Sequence, residues 1–178
     1  MRSVPVLALL GAGLLASAAI AQSRHDSSAP FDFSADQGEL QDKAGRGTLT
    51  GHVVIRQAEM TLTADRVVLT YTGKITDGSP EVARVDATGS VTLTRPNQNA
   101  RSQYGVYDVN RRVVIMLGGV TLNQGANTVS GNRLTLNLDT NRAVIDGSGV
   151  GSGVPGTTTK GGRVTGHFSA PKRTGDGK

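Results

Sequence analysis

A motif of one small residue and one polar acid or amide sits between runs of alternating apolar residues, is answered by a glycine in the next run, and occurs four times in 178 residues. It begins at Ala35-Asp36, Ala64-Asp65, Ser102-Gln103 and Gly131-Asn132, at steps of 29, 38 and 29, and the glycines answer at Gly51, Gly89, Gly118 and Gly147, at steps of 38, 29 and 29. Both series contain the same nine extra residues, which places the irregularity between Asp65 and Gly89. A repeat of this length made of period-2 segments requires stacked antiparallel strands, because no single strand buries its own apolar face. The chain is therefore all-β, built from about four strand-pair units.

Alternation assigns the side chains to faces. Phe31, Phe33 and Ala35 share a row, which slips by one residue and continues through Gly38 and Leu40. The second unit repeats this with Leu62 and Ala64, then Val67, Leu69 and Tyr71; the third with Ala100 and Ser102, then Gly105, Tyr107 and Val109; the fourth with Val129 and Gly131, then Leu134, Leu136 and Leu138. A one-residue slip turns every later side chain over, so a bulge or corner is expected at Asp36-Gln37, Asp65-Arg66, Gln103-Tyr104 and Asn132-Arg133. Polar side chains there can satisfy backbone groups that a bulge leaves unpaired. The answering strands carry Leu49, Val53 and Ile55; Val85, Ala87, Val91 and Leu93; and Val114, Met116, Val120 and Leu122 on the same face, with a glycine at each midpoint where the strand bends. Ala143 and Ile145 continue the row in the fourth unit. Thr48, Thr50, His52 and Arg56, like Asp86, Thr88, Ser90, Thr92 and Thr94, face outward. Thr72 to Pro80 takes up the extra nine residues as a surface loop, with Asp77-Gly78 as turn chemistry.

The N-terminus explains where such a sheet works. Arg2, the apolar run from Val4 to Leu10, small residues to Ala18 and then Ala19-Ile20-Ala21 have the layout of a cleavable export signal, with cleavage after Ala21. About 157 residues then remain, enough for one domain. There is no cysteine, so an exported chain of this kind holds together by strand pairing and apolar burial alone. The net charge of +5 belongs to the tail: between Gln22 and Thr159 thirteen basic residues face thirteen acidic ones, whereas Lys160, Arg163, Lys172, Arg173 and Lys178 face only Asp176. With no basic stripe on the sheet and no aromatics beside one, nucleic acid is not an expected partner.

Catalytic chemistry finds no footing. His25, His52 and His167 have no second ligand at metal-binding spacing, and His52 reads as a solvated outward side chain. The glycine-rich stretch from Gly147 is not followed by a helix that could hold a phosphate. Asp36, Asp65 and Asn132 recur at the slips, as structural residues do and a unique active site does not. No serine elbow is present. Neither an enzyme activity, a metal nor a cofactor is expected. What remains is the apolar face, which reads either as an ordinary core or as a groove for a chain of methylenes. At ~0.8 kcal/mol per buried CH₂, about a dozen carbons would gain up to ~10 kcal/mol before ordering costs.

Phe33-Ser-Ala-Asp36, Leu49 to Gln57, Leu62 to Leu69, Val85 to Val91, Arg101 to Asp108 and Leu117 to Leu122 closely resemble the LptA/OstA family of periplasmic lipopolysaccharide-transport proteins, over about Phe31 to Gly147. The resemblance implies an open, V-shaped antiparallel β-jellyroll that shields the acyl chains of lipid A and stacks head to tail. It also implies an LptC-like inner-membrane anchor and an LptD-like outer-membrane barrel as partners, with no hydrolysis by the protein itself. On that reading the lipid-binding interior comprises Phe33, Leu40, Leu49, Val53, Ile55, Leu62, Val67, Leu69, Tyr71, Val91, Leu93, Tyr107, Val109, Met116, Val120, Leu122, Leu134, Leu136 and Leu138.

The expected division is residues 1–21 as signal, 22–147 as the jellyroll, 148–162 as a flexible Gly/Thr-rich connection, and 163–178 as a short terminal strand with a basic tail. The Phe31 to Leu40 edge and the Arg163 to Phe168 strand are the expected partner edges, so deleting residues 160–178 should weaken assembly and spare the fold. Two alternatives stay open: an LptC-like anchored relative that keeps Met1 to Ala21, and a secreted β-rich interaction protein whose interior is only a core.

Overall fold

The computed structural model describes residues 25–75, 78, 80–147 and 162–169. The expected signal segment, nearly all of the Gly/Thr-rich connection, Gly149, Asp77 and most of the basic tail lie outside the described residues. Ten strands form one antiparallel sheet: β1 (Phe31–Ser34), β2 (Gln37–Gln41), β3 (Arg46–Gln57), β4 (Met60–Thr72), β5 (Glu81–Arg95), β6 (Gln98–Asp108), β7 (Val113–Gln124), β8 (Asn127–Asn137), β9 (Arg142–Asp146) and β10 (Thr165–His167). A 3-10 turn at Asp42–Ala44 joins β2 to β3, and no α-helix occurs among the described residues. The extra nine residues lengthen the end of β4 and the start of β5, which run to 13 and 15 residues against 11 in β6 and 12 in β7, and the rest fall in the loop between them.

Each long strand crosses a corner, and the corners lie side by side, so the sheet folds over into two facing walls. One wall runs β1, then the second half of β3, the first of β4, the second of β5, and so on to β8 and β10. The other runs β2, then the opposite halves of β3 to β8, and ends with β9. At the corner side six strands pass unbroken from wall to wall. At the opposite side, the mouth, the walls end in loops: two residues long at Ala58-Glu59, Pro96-Asn97 and Gly125-Ala126 in the first wall, and in the second four residues long at Val109–Arg112 and Leu138–Asn141 and longer between β4 and β5. Among the described residues the terminal strands do not pair with each other, so the jellyroll is open at both ends.

The corners fall in the expected layer, but the extra residue belongs to the answering strand. Thr50 pairs with Arg66 and Val53 with Ala64, so Gly51 and His52 stand opposite Asp65 alone. Gly89 and Ser90 stand opposite Gln103, and Gly118 and Gly119 opposite Asn132, in the same way. All six bulged residues have positive φ, from 43° at His52 to 84° at Gly118. Two successive left-handed residues turn the answering strand through the corner without changing its parity, while the acid or amide strand absorbs the slip. The polar side chains also do something other than cap backbone. Asp36, Asp65 and Gln103 lie against Gly51, Gly89 and Gly118: an added Cβ would collide with Oδ2 of Asp36 or Asp65 and sit 2.9 Å from the Cγ of each, and it would sit 3.1 Å from Gln103 Cβ. Among the described residues corner carbonyls are bonded by Asn132, which donates from Nδ2 to Gly147 O at 2.7 Å, and by Ser102, whose Oγ donates to Tyr104 O at 2.8 Å.

Between the walls the alternating row closes on itself. Leu49, Val53, Ile55, Leu62, Val67, Leu69, Val91, Leu93, Tyr107, Met116, Val120, Leu122, Leu134, Leu136 and Leu138 are buried in one cluster contributed by both walls, and Tyr71 is buried beside it. Burying this area is what holds a single folded sheet together. The N-terminal edge departs from the expected buried row. Phe33 and Leu40 pair across from Ile55 and Gly47 and so share the inward face, yet they are 55% and 56% exposed. They stand on the last strand of each wall, and among the described residues no next strand covers them. Val109 is half-buried against the cluster in the β6–β7 loop.

Candidate functional site

Period-2 placement delivers Phe31, Phe33, Ile55, Leu69, Val82 and Val109 to one end of the space between the walls, around a cavity of about 730 Å³. Ser27 to Pro30 form its rim, with Glu81, Asn110 and Arg112. Its size is within the ~300–1,000 Å³ of sites that enclose small ligands. A second depression of about 250 Å³ lies beside it on the same edge, lined by Phe33, Ser34, Ala35, Gln37, Gly38 and Leu49. Phe33 lines both, so the uncovered edge and the interior are continuous through this ring. Toward the far end the interior is filled: Leu134, Leu138, Met116 and Val114 have no exposed surface. The inward residues named from sequence are thus brought together on one face, and free space is found at the N-terminal edge.

The mouth carries polar chemistry that alternation missed. Gln57 follows Val53 and Ile55 on the inward row and is 1% exposed; Arg95 follows Val91 and Leu93 and is 8% exposed. Gln57 Oε1 accepts from the Tyr107 hydroxyl at 2.9 Å and from His25 Nε2 at 3.1 Å. Its Nε2 donates to the carbonyls of Ser27 at 2.9 Å and Ala29 at 3.1 Å. The amide therefore uses all its bonding positions, which is how a fully buried polar group is tolerated. Burial holds the Tyr107 phenol above its ordinary range, keeping the hydroxyl a donor. Arg95 donates to Asn141 Oδ1 at 2.8 Å and to Gln98 Oε1 at 3.3 Å, while Glu59 stands 3.9 Å away and Arg95 Nε lacks a bond. Burial lowers the affinity of this guanidinium for its proton, with Glu59 opposing. His25 is itself buried, packed edge-on to Tyr107, with Nδ1 3.3 Å from Glu59 Oε1. The sequence signal for this cluster was a polar residue at inward parity next to a two-residue hairpin.

Outside, the corner line is polar. His52 is exposed as expected, but its Nδ1 lies 2.7 Å from Asp36 Oδ2, and that hydrogen bond raises the imidazole above its ordinary 6.5, with the charges of Asp36 and then Asp65 adding to it. Ser90 donates to Asp65 Oδ2 at 3.2 Å at the neighbouring corner. These pairs are spread along a solvated line, and among the described residues no three His, Cys, Asp or Glu side chains are grouped to hold a metal ion.

Residues 32–142 match the family described as LptA/(LptD N-terminal domain) LPS transport protein. An uncharacterized protein of Rhizobium meliloti (strain 1021) is 28% identical over 152 residues, covering 79% of this chain and 82% of that protein. The lipopolysaccharide export system protein LptH of Pseudomonas aeruginosa is 27% identical over 162 residues, 86% of this chain and 88% of LptH. The crystal structure of LptH from Pseudomonas aeruginosa, the LptA homologous periplasmic component of the conserved lipopolysaccharide transport device, superimposes with a TM-score of 0.69 at 21% identity, over 82% of this chain and 99% of that one. At that identity the superposition is a likeness of fold.

Proposed function

This chain belongs to the LptA/LptD N-terminal-domain family of lipopolysaccharide transport proteins, and from that premise we propose that it carries lipopolysaccharide through the periplasm with the acyl chains of lipid A between its walls. The observation that carries this reading is the uncovered inward edge, where Phe33 exposes apolar surface that lines the 730 Å³ cavity and Leu40 exposes more on the same N-terminal edge. Single exposed apolar residues need no explanation, but two inward ones at an unpaired strand edge beside a cavity mark a docking or loading surface.

The two ends fit an assembly role. β1 and β2 end one side of the two walls together, and β9 and β10 end the other, so each end offers two parallel edges. Strand addition at such edges is heterologous and propagates. On this reading the protein bridges an LptC-like anchor and an LptD-like barrel, alone or head to tail with its own copies, after export and cleavage following Ala21, and it catalyses no reaction.

The test is a photo-reactive residue at Leu69 or Leu136, compared with outward Thr92. Carriage predicts that lipopolysaccharide is labelled from the inward sites and not from Thr92. Absence of labelling at both inward sites would leave the interior as a core and the chain as a β-rich interaction protein. Sequencing the mature N-terminus distinguishes the anchored LptC-like alternative, which retains Met1 to Ala21.

A further inference from the structure

The corner side cannot open without breaking strands, since β3 to β8 pass through it as continuous chain. The mouth is different: there the ends of the walls meet through side chains. Two ties span it among the described residues. Tyr107 in the second wall donates to Gln57 at the end of the first wall at 2.9 Å. Arg95, at the end of the first wall, donates to Asn141 in the β8–β9 loop of the second at 2.8 Å. The segment His25 to Pro30 lies over the first tie, fastened by the bonds of Gln57 to Ser27 O and Ala29 O and by the ring of His25 against Tyr107. Ser27 to Pro30 are also the rim of the cavity.

We propose that the mouth is a lateral gate held by the Gln57–Tyr107 and Arg95–Asn141 ties, and that an amphiphile reaches the interior sideways through it, with the His25–Pro30 segment as its strap. This rests on the lipid-carrier reading above. An amphiphile with a bulky charged head cannot bury that head among Leu, Val and Met side chains. If its methylene chains lie between the walls, its head must protrude, and a protruding head can pass along the protein only through a side that parts. The mouth is that side, since the opposite one is unbroken sheet.

Both ties contain buried polar atoms without hydrogen-bond partners. Gln57 has all its bonding positions filled, but His25 Nδ1 and Ser27 Oγ in the strap it holds do not. At the other tie Arg95 Nε is unpartnered, and Glu59 Oε1, also unpartnered, stands between the two ties, 3.3 Å from His25 Nδ1 and 3.9 Å from Arg95. Buried polar groups left unpaired lower the cost of opening, because solvent or a polar head satisfies them once the walls separate. The mouth is therefore poised to part at both ties.

Because the chain has no cysteine, paired substitutions supply its only thiols. In Arg95→Cys/Asn141→Cys, and separately in Gln57→Cys/Tyr107→Cys, the thiols are either bridged with a bis-maleimide or capped with N-ethylmaleimide, so that both arms lack the same native tie. Fluorescent lipopolysaccharide is added, and its co-elution with folded protein is followed by gel filtration. Bridging is expected to slow loading at least about tenfold relative to capping, and Gln57→Leu to speed it by about tenfold, the size expected for loss of a buried hydrogen-bond network. Equal loading of bridged and capped protein overturns the gate and assigns loading to the open ends, while leaving the carrier reading intact. No loading of the unmodified chain overturns both. If the Tyr107 pair fails to fold, the Arg95–Asn141 pair, both at loop ends, still decides the matter.

Discussion

Gly89 lies against the carboxylate of Asp65 so closely that a Cβ added to it would sit 2.9 Å from Asp65 Cγ, and its φ of +80° already excludes most side chains. This contact explains why the acid or amide and the glycine recur together: the second strand turns its corner in the space beside the polar side chain of the first. Gly89→Ala meets both left-handed strain, about 1–3 kcal/mol, and the collision with Asp65. It should therefore lower urea stability by more than about 2 kcal/mol. Gly119, with φ +61° and nothing within 4 Å of its missing Cβ, meets only the strain, and His52 and Ser90 occupy the equivalent position with φ of 43° and 47°. Gly119→Ala should cost about 1 kcal/mol. Equal losses at the two sites would refute the account.

The corner ion pair sets a pH signature. The hydrogen bond from Asp36 raises His52 above 6.5, so the folded state binds the His52 proton more tightly than the unfolded chain does. The pair's contribution is then complete below the unfolded value and disappears as pH rises through the higher folded value. Both side chains are solvated, so the effect on global stability is small. Proton NMR of the His52 ring should show a midpoint above the ordinary histidine value, and Asp36→Asn should return it toward that value. An unchanged midpoint in Asp36→Asn would show that another group governs the ring.

Burial separates residues that the alternating row cannot. Leu134→Ala removes a side chain with no exposed surface from the filled end of the interior and should cost about 2–5 kcal/mol by thermal or urea unfolding. Leu40→Ala, on the same face but at the uncovered edge, should change stability by less than about 0.5 kcal/mol. If the edge is a docking surface, Leu40→Asp should weaken association with an LptC-like partner measured by pull-down, without unfolding the protein. Comparable unfolding losses at Leu134 and Leu40 would mean that Leu40 is covered in solution.

Period-2 alternation made the inward row legible because it depends only on which way consecutive side chains point, and Leu62, Ala64, Val67 and Leu69 show both the row and its slip in one strand. It could not show that Phe33 and Leu40 are exposed, since that depends on which strand lies next to them. It placed the corners in the right layer but assigned the extra residue to the acid strand, where the slip is visible. The left-handed pair Gly51-His52 keeps parity, so the alternation does not show it and only the recurring midpoint glycine marks where it lies. Gln57 and Arg95 stood on the inward row, but polar residues at strand ends beside hairpins read as solvated until the opposite wall supplies Tyr107 and Asn141. His25 belongs to a segment with no periodicity at all.

The last prediction concerns the C-terminal edge. β10 pairs Thr165, Gly166 and His167 with Ser130, Val129 and Thr128, and all three of its residues are exposed, so it adds little to the core. Its weight is geometric. With β10 present the first wall ends level with the second, whose last strand is β9; without it the first wall ends at β8, one strand, or ~4.8 Å, short. A docking edge that must pair with both walls at once loses its register on one of them. Deleting residues 160–178 should therefore leave the circular dichroism and unfolding midpoint nearly unchanged and expose the Thr128 and Ser130 amides to hydrogen exchange. Head-to-tail self-association, followed by sedimentation, should weaken by about tenfold, as expected when one of two linked edges is lost. Undiminished association by the truncated chain would place the docking edge on β9 alone.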